Sequence, residues 1–311
     1  MDLPKDVWLL IMAYFTKREK LVMFLVSKRF YSYRMEIWFN KQIKLSKNIT
    51  KLPYYDRFTN LVVKKLPKKF PKYLTLLTFG KYFNQVIKGI IPNSVTHLTF
   101  DCDFNKNIKG AIPHSVTHLT FDHNFNQDIK GAIPNSVTHL TIGYRLKHDL
   151  KGAIPNSVTH LTFSYYFNQD IKGAIPNSVT HLTFGENFNQ DIKGAIPNNV
   201  THLKFGVRFD QDVKGTIPNS VTHLTFGYRF NQDINGAIPN SITHLTLGYC
   251  FRQDVKGAIP NSMTHLTFDT GFYQDIKGAI PTSVKNLTLP IKYQKLIDGI
   301  VDTNKVSVQY W

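Results

Sequence analysis

Nine histidines recur at a fixed interval of 21 residues: His97, His118, His139, His160, His181, His202, His223, His244 and His265. Each follows a threonine and precedes a leucine. Imidazole is the side chain whose charge changes near pH 6.5, and it is the commonest metal ligand. In a strand that buries Leu98 and Phe100, His97 and Thr99 point the other way. Stacked copies then place the imidazoles in a row at roughly 4.8 Å beside a threonine row. One reading is a strand-compatible His-Thr pair that hydrogen-bonds along the row. The other is a stripe that touches a ligand through His139, His160, His181, His202, His223 and His244. Closed metal sites mix ligands in a tetrahedron, not in a row, so no metal site is expected.

A second set of side chains varies where the rest of the repeat does not. The three positions after each strand read Asp101-Cys-Asp, Asp122-His-Asn, Gly143-Tyr-Arg, Ser164-Tyr-Tyr, Gly185-Glu-Asn, Gly206-Val-Arg, Gly227-Tyr-Arg, Gly248-Tyr-Cys and Asp269-Thr-Gly. Variation concentrated at one rim of a near-identical array is the pattern of a partner-reading surface. Tyr144, Arg145, Tyr165, Tyr166, Arg208, Tyr228, Arg229 and Tyr249 are of the types that anchor protein interfaces. Drift at exposed positions would give the same pattern. No P-loop, G-x-S-x-G, H-E-x-x-H or paired-cysteine motif occurs, so the chain reads as a non-enzyme with no cofactor.

The elements that must hold these residues can be read from the columns. Ile91, Val95, the pair Leu98 and Phe100, and the pair Phe104 and Ile108 head apolar columns that repeat every 21 residues. Each column must stack on itself to make one continuous core. Val-x-x-Leu-x-Phe has the spacing of a leucine-rich-repeat strand. Alternation in Thr-His-Leu-Thr-Phe predicts a short strand. Gly89 and its successors to Gly278 fill one column without exception. Either a side chain clashes there or the turn needs positive φ. Pro-Asn-Ser before each strand is turn chemistry, with Asn and Ser bonding nearby backbone. Asp128/Lys130 and equivalent pairs form ladders of opposite charge on the outer surface. No copy contains a helical segment, so the return limb is extended or a 3₁₀ turn.

Bulk composition limits the class further. The chain has 311 residues and a net charge of +17. Residues 1–80 hold 17 Lys/Arg against 5 Asp/Glu, a net of +12; the rest holds 21 against 16, a net of +5. The repeats are therefore close to balanced, which disfavours a nucleic-acid partner. The run Lys64, Lys65, Lys68, Lys69, Lys72 reads as a solvated face. No apolar run approaches a membrane span, and no membrane partner is expected. Cys102 and Cys250 lie 148 residues apart and cannot pair, which points to a reducing, intracellular compartment, cytoplasm or nucleus.

The N-terminal residues have a different pattern. Pro4 stands where a helix tolerates it, and Val7, Leu10, Ile11 and Tyr14 have helical spacing. Leu21, Phe24 and Leu25 predict a second helix, before Val26-Ser-Lys-Arg-Phe30. Leu3-Pro4-x-x-Val7-x-x-x-Ile11-x-x-Tyr14 with that downstream run resembles an F-box. Phe-Asn-Gln-Asp-Ile-x-x-x-Ile-Pro-x-Ser-Val-Thr-x-Leu resembles FNIP repeats across about residues 71–289. The combination resembles the F-box and FNIP-repeat proteins of social amoebae and of viruses that infect amoebae. If viral, the chain would act in the host cytoplasm. That resemblance implies a substrate-recognition adaptor of a Skp-cullin-F-box ubiquitin ligase. Leu3, Pro4, Val7 and Ile11 would then face a Skp-type adaptor, with cullin beyond it, and the repeats would bind an unknown protein target. The alternative is a stand-alone protein-binding scaffold or decoy.

The expected architecture is a repeat solenoid, mainly β, leucine-rich-repeat-like with parallel strands, preceded by a small α-helical F-box segment. Residues 1–40 form that segment, 41–70 a basic connector and N-terminal cap, 71–289 the repeats and 290–311 a C-terminal cap. Asn60–Val63 reads as a degenerate strand, Tyr293–Val301 as a capping helix and 306–310 as a final edge strand.

Overall fold

The computed structural model describes residues 42–311 apart from 53–54, 144, 298–299 and 303. Leu3, Pro4, Val7 and Ile11, and with them the predicted F-box helices, lie outside the described residues, as does Tyr144. The described chain forms one parallel sheet of 14 strands whose spatial order is the chain order. The irregular first strands are β1 (Ile43–Lys44), β2 (Asn60–Val63) and β3 (Leu76–Phe79). The regular ones are β4 (His97–Phe100), β5 (His118–Phe121), β6 (His139–Ile142), β7 (His160–Phe163), β8 (His181–Thr183), β9 (His202–Lys204), β10 (His223–Thr225), β11 (His244–Leu247) and β12 (His265–Phe268). The array ends with β13 (Asn286–Leu289) and β14 (Ser307–Tyr310).

Register obeys the repeat: His97 pairs with His118 and Leu98 with Leu119, and the same holds down the array. A one-residue slip would turn every leucine out, so the alternation fixes it. Leu98 and Phe100 are buried while His97 and Thr99 are not. The return limb buries Phe104, Ile108, Ile112 and Val116 against them. All these columns belong to one core that runs the length of the solenoid. Each fully buried Phe or Leu contributes on the order of 1.5–3 kcal/mol.

The polar columns hold the copies together. Asn105 Oδ1 accepts the Asn126 backbone N–H at 2.9 Å and the Gln127 amide at 2.8 Å. Asn168 does the same for Asn189 and Gln190. Ser115 donates to the Val95 carbonyl of the preceding copy at 2.7 Å, and the serines from Ser136 to Ser262 do the same, so these serines bond across copies and not within their own turns. The expected Asp-Lys charge ladder has a different role. Asp128 Oδ1 accepts the Lys130 backbone N–H at 2.8 Å, and Asp170 caps Lys172 in the same way. The aspartate shapes a tight turn first; the described inter-copy ion pair, Lys256–Asp275 at 3.6 Å, is exposed and contributes little.

The glycine column is resolved in favour of backbone geometry. Gly89 through Gly278 have φ between 65° and 72°. A Cβ on most of them would meet nothing within 4 Å. Gly110 sits third in a turn closed by Ala111 N–H to Ile108 C=O at 2.9 Å, where positive φ is required.

Both ends depart from the repeat. β2 and β1 join the sheet through shorter connections, and Tyr55 closes that end by donating to the Lys69 carbonyl at 3.0 Å. Lys69 lies 3.6 Å from Asp56 with most of its side chain in solvent, so this part of the basic run is a solvated face. At the other end the predicted capping helix is replaced by a 3₁₀ turn at Ile291–Tyr293 and further hydrogen-bonded turns. A segment of nine residues is too short to hold an α-helix without a broad apolar face, and Tyr293 and Ile297 are its deeply buried members. The predicted edge strand is present as β14.

Ring spacings give the sense of curvature. Neighbouring histidine rings lie 4.0–4.2 Å apart. The strand phenylalanines lie 5.3–5.6 Å apart. Those of the return limb lie 6.1–6.4 Å apart. When near-identical copies are related by one rotation, a point moves farther per copy the farther it lies from the axis. Strand backbones are spaced about 4.8 Å apart, so the order outward is histidine, strand, inner Phe, outer Phe. The sheet therefore curves with its histidine face inside.

Candidate functional site

The inner face is built from two residues per copy. The Thr96 and His97 N–H groups both donate to the Thr75 carbonyl, at 2.9 and 3.0 Å, and the pattern repeats down the array. This leaves the Thr96 side chain beside His97, with Oγ1 2.9 Å from Nδ1. The same contact recurs at 2.8–2.9 Å for every histidine of the column. Each ring is thus fixed by its own Nδ1 and by stacking on its neighbours. Among the described residues Nε2 takes a partner at His265, where Asn286 lies 2.8 Å away.

The electrostatics arise from the stacking. Burial, and then the charge of neighbouring imidazolium groups, pushes His118, His139, His160, His202, His223 and His244 below the ordinary imidazole range. Protonating one ring opposes protonating the next. At neutral pH these six rings are neutral and offer hydrogen-bonding nitrogens and aromatic edges.

The rim holds the exposed aromatic and basic residues. Tyr165 and Tyr166 meet edge to face at 4.5 Å, and both are about half exposed. Tyr228 stacks on Tyr249 at 4.8 Å, close to the strand spacing, which puts this column beside the sheet. Arg145, Arg208 and Arg229 are exposed along the same edge. The structure therefore brings the predicted His139 to His244 stripe together as one face, with Tyr165, Tyr166, Arg208, Tyr228, Arg229 and Tyr249 ranged along its border.

Sequence reasoning missed two groups. The first is a cation–aromatic chain at the C-terminal end. Arg252 lies over the Tyr249 and Tyr273 rings, at 5.7 and 4.6 Å, and Lys292 lies 5.0 Å over Tyr273. The signal was present: Arg252 and Tyr273 stand where most other copies have Asn. The second is a cluster of Cys102, Asp122 and His123 at the other end of the rim. Cys102 Sγ lies 3.6 Å from His123 Nδ1 and 3.8 Å from Asp122 Oδ2. A hydrogen bond with Asp101, then burial and the nearby carboxylates, pushes the Cys102 thiol up to about 11. Both cysteines are free thiols. Among the described residues no helix is long and apolar enough to cross a membrane.

Comparison with known proteins agrees with this architecture. No curated protein sequence matches the chain. A crystal structure of CroV588, described as a novel circular LRR protein, is similar, with a TM-score of 0.65 and 35% identity over 88% of this chain. The chain spans 44% of that protein's length. The FNIP Repeat family model matches residues 63–103, 104–145, 148–187, 188–214, 209–250 and 254–292. With the repeat matched from the second strand to the 3₁₀ turn after β13, the chain belongs to the FNIP-repeat family.

Proposed function

We propose that the chain is a protein-binding scaffold that holds a target against its inner histidine face and the tyrosine-arginine rim. One observation carries this reading. Core, turn and inter-copy hydrogen-bond columns are almost uniform, while variation concentrates at rim positions that are mostly half-buried or, as at Tyr165, Tyr166, Arg208, Tyr228, Arg229 and Tyr249, exposed. A curved, uniform face bordered by varied tyrosines and arginines suits a folded protein partner. The near-balanced charge of residues 81–311 does not suit a nucleic-acid backbone.

A finer reading assigns the N-terminal segment. Leu3, Pro4, Val7 and Ile11 would dock a Skp-type adaptor, and through it a cullin, so that the repeats select a substrate for ubiquitination. The resemblance of residues 1–40 to an F-box supports it. Ligase chemistry would belong to the partners, and the chain would act in a reducing compartment.

Affinity capture from an amoebal lysate tests both levels. The full chain, the Leu3→Ala/Pro4→Ala variant and a Tyr165→Ala/Tyr166→Ala/Tyr228→Ala/Tyr249→Ala variant are compared by mass spectrometry. Loss of Skp and cullin in the first variant alone, and of other prey in the second alone, supports adaptor and scaffold together. Skp and cullin missing from the unmodified chain would remove the adaptor reading and leave the scaffold. Prey unaffected by the rim variant would remove the rim from the binding surface.

A further inference from the structure

We infer that Cys102, Asp122 and His123 form a binding site for a divalent transition metal ion of the zinc class on the rim of the solenoid. The repeat register builds it. Residues 21 apart are neighbours in adjacent copies, so Cys102 lies against His123, and Asp101 against Asp122. Among the copies described, this is the place where the rim presents a thiol, an imidazole and a carboxylate together.

Three observations support a metal. The donor set comes first: one sulfur, one nitrogen and one oxygen is the mixture that zinc accepts. The spacing comes second. Zinc–sulfur and zinc–nitrogen bonds of about 2.3 and 2.0–2.1 Å at a tetrahedral angle separate the ligand atoms by about 3.6 Å. Sγ lies 3.6 Å from Nδ1 and 3.8 Å from Oδ2. Asp122 also contacts the same Nδ1 directly through Oδ1, and one donor atom from each of the three residues lies within 4.8 Å of the others. The third is uncompensated charge. The chain has 38 Lys and Arg against 21 Asp and Glu. Yet Asp101, Asp103 and Asp122 stand together, and among the described residues none forms an ion pair with a lysine or arginine. A divalent cation would supply the missing positive charge.

The site is also held in place before any ion arrives. The Asn124 N–H donates to the Cys102 carbonyl at 2.8 Å, and its side-chain amide donates to Asp103 at 3.0 Å. Asp101 Oδ1 accepts the Cys102 N–H at 2.6 Å. These bonds lock the two rim triplets together, which positions ligands for a small entropic cost. About a third to two-fifths of the Asp122 and His123 side-chain surface is open, so an ion can enter and a water can complete the tetrahedron. On binding, the thiol gives its proton to solvent and the sulfur binds as thiolate.

Cobalt(II) titration of the full chain tests this. In a Cys250→Ser background the remaining thiol is Cys102, so a thiolate-to-cobalt charge-transfer band reports this site and not the histidine ladder. The expected result is a band that saturates at one equivalent and is bleached by zinc. Cys102→Ser should abolish it, and His123→Ala or Asp122→Asn should weaken cobalt affinity by about tenfold or more. Circular dichroism melting of each variant separates loss of ligand from loss of fold. Absence of the band at saturating cobalt in a folded chain overturns the assignment. So does a band whose cobalt affinity is unchanged by His123→Ala and by Asp122→Asn, because Cys102 would then bind the ion without them.

Discussion

A histidine in the ladder is held by a threonine at Nδ1 and by rings on both sides, which makes its neutral form part of the fold. Six of these side chains, His118, His139, His160, His202, His223 and His244, have their proton affinity lowered by burial and then by one another. In the unfolded chain each returns to the ordinary value of about 6.5. Below that value the unfolded chain binds more protons than the folded one, so stability falls as pH falls through the window. Above it the contribution is fully present. The melting temperature should therefore drop between about pH 7.5 and about pH 5.5, where the carboxylates are still ionised. Asn286 occupies the same column in β13, which shows that asparagine fits there. A His202→Asn/His223→Asn/His244→Asn variant should show a flatter pH profile than the unmodified chain. Identical slopes would mean that the ladder does not couple protonation to folding.

At the scale of the element, the strand was legible because its period of two is written in Thr-His-Leu-Thr-Phe, and the turn because glycine filled one column. The motif Phe-Asn-Gln-Asp was visible but not interpretable from the sequence. Its Asn accepts from the next copy and its Gln donates to the preceding one, while its Asp bonds within its own turn, and side-chain identity alone does not distinguish these roles. The metal cluster was hidden for the same reason, since Cys102 and His123 become partners only once the copies are stacked. The two glycine columns show how far the sequence can mislead. Gly173 has φ of +72° and side-chain contacts no closer than 3.8 Å, so alanine there costs a left-handed backbone, roughly 1–2 kcal/mol. Gly206 has an ordinary φ, but its Cβ would lie 2.1 Å from the Gly185 carbonyl oxygen and 2.4 Å from its carbon. Relieving that contact requires the local backbone to shift toward the arrangement in which Asp122 and Ser164 fill this column, with their N–H groups on the Phe100 and Ile142 carbonyls. Gly206→Ala should therefore melt at a lower temperature than Gly173→Ala, although Gly173 belongs to the column without exceptions. The reverse order would show that backbone conformation, not inter-copy approach, limits this fold.

At the largest scale, the described residues form one parallel sheet of 14 strands, with β1 and β14 as its outermost strands. Each copy buries its core only against its neighbours, so the last copy depends on the C-terminal segment to cover it. β13 buries Leu287 and Leu289 as completely as any interior strand. β14 covers that edge with Ser307, Val308, Gln309 and Tyr310, none fully buried, and Trp311 fastens it by donating from Nε1 to the Phe268 carbonyl at 2.9 Å. The chain thus passes from a core strand to a more polar, partly exposed strand. A chain ending at Val306 would leave the ladder groups of β13 unpaired beside an apolar layer. It should associate with rising concentration, which sedimentation velocity would detect, while a Cys250→Ser chain keeping β14 stays at its original size. If the shortened chain remains as monodisperse as the parent, β14 is dispensable and the turns of residues 290–306 alone terminate the solenoid.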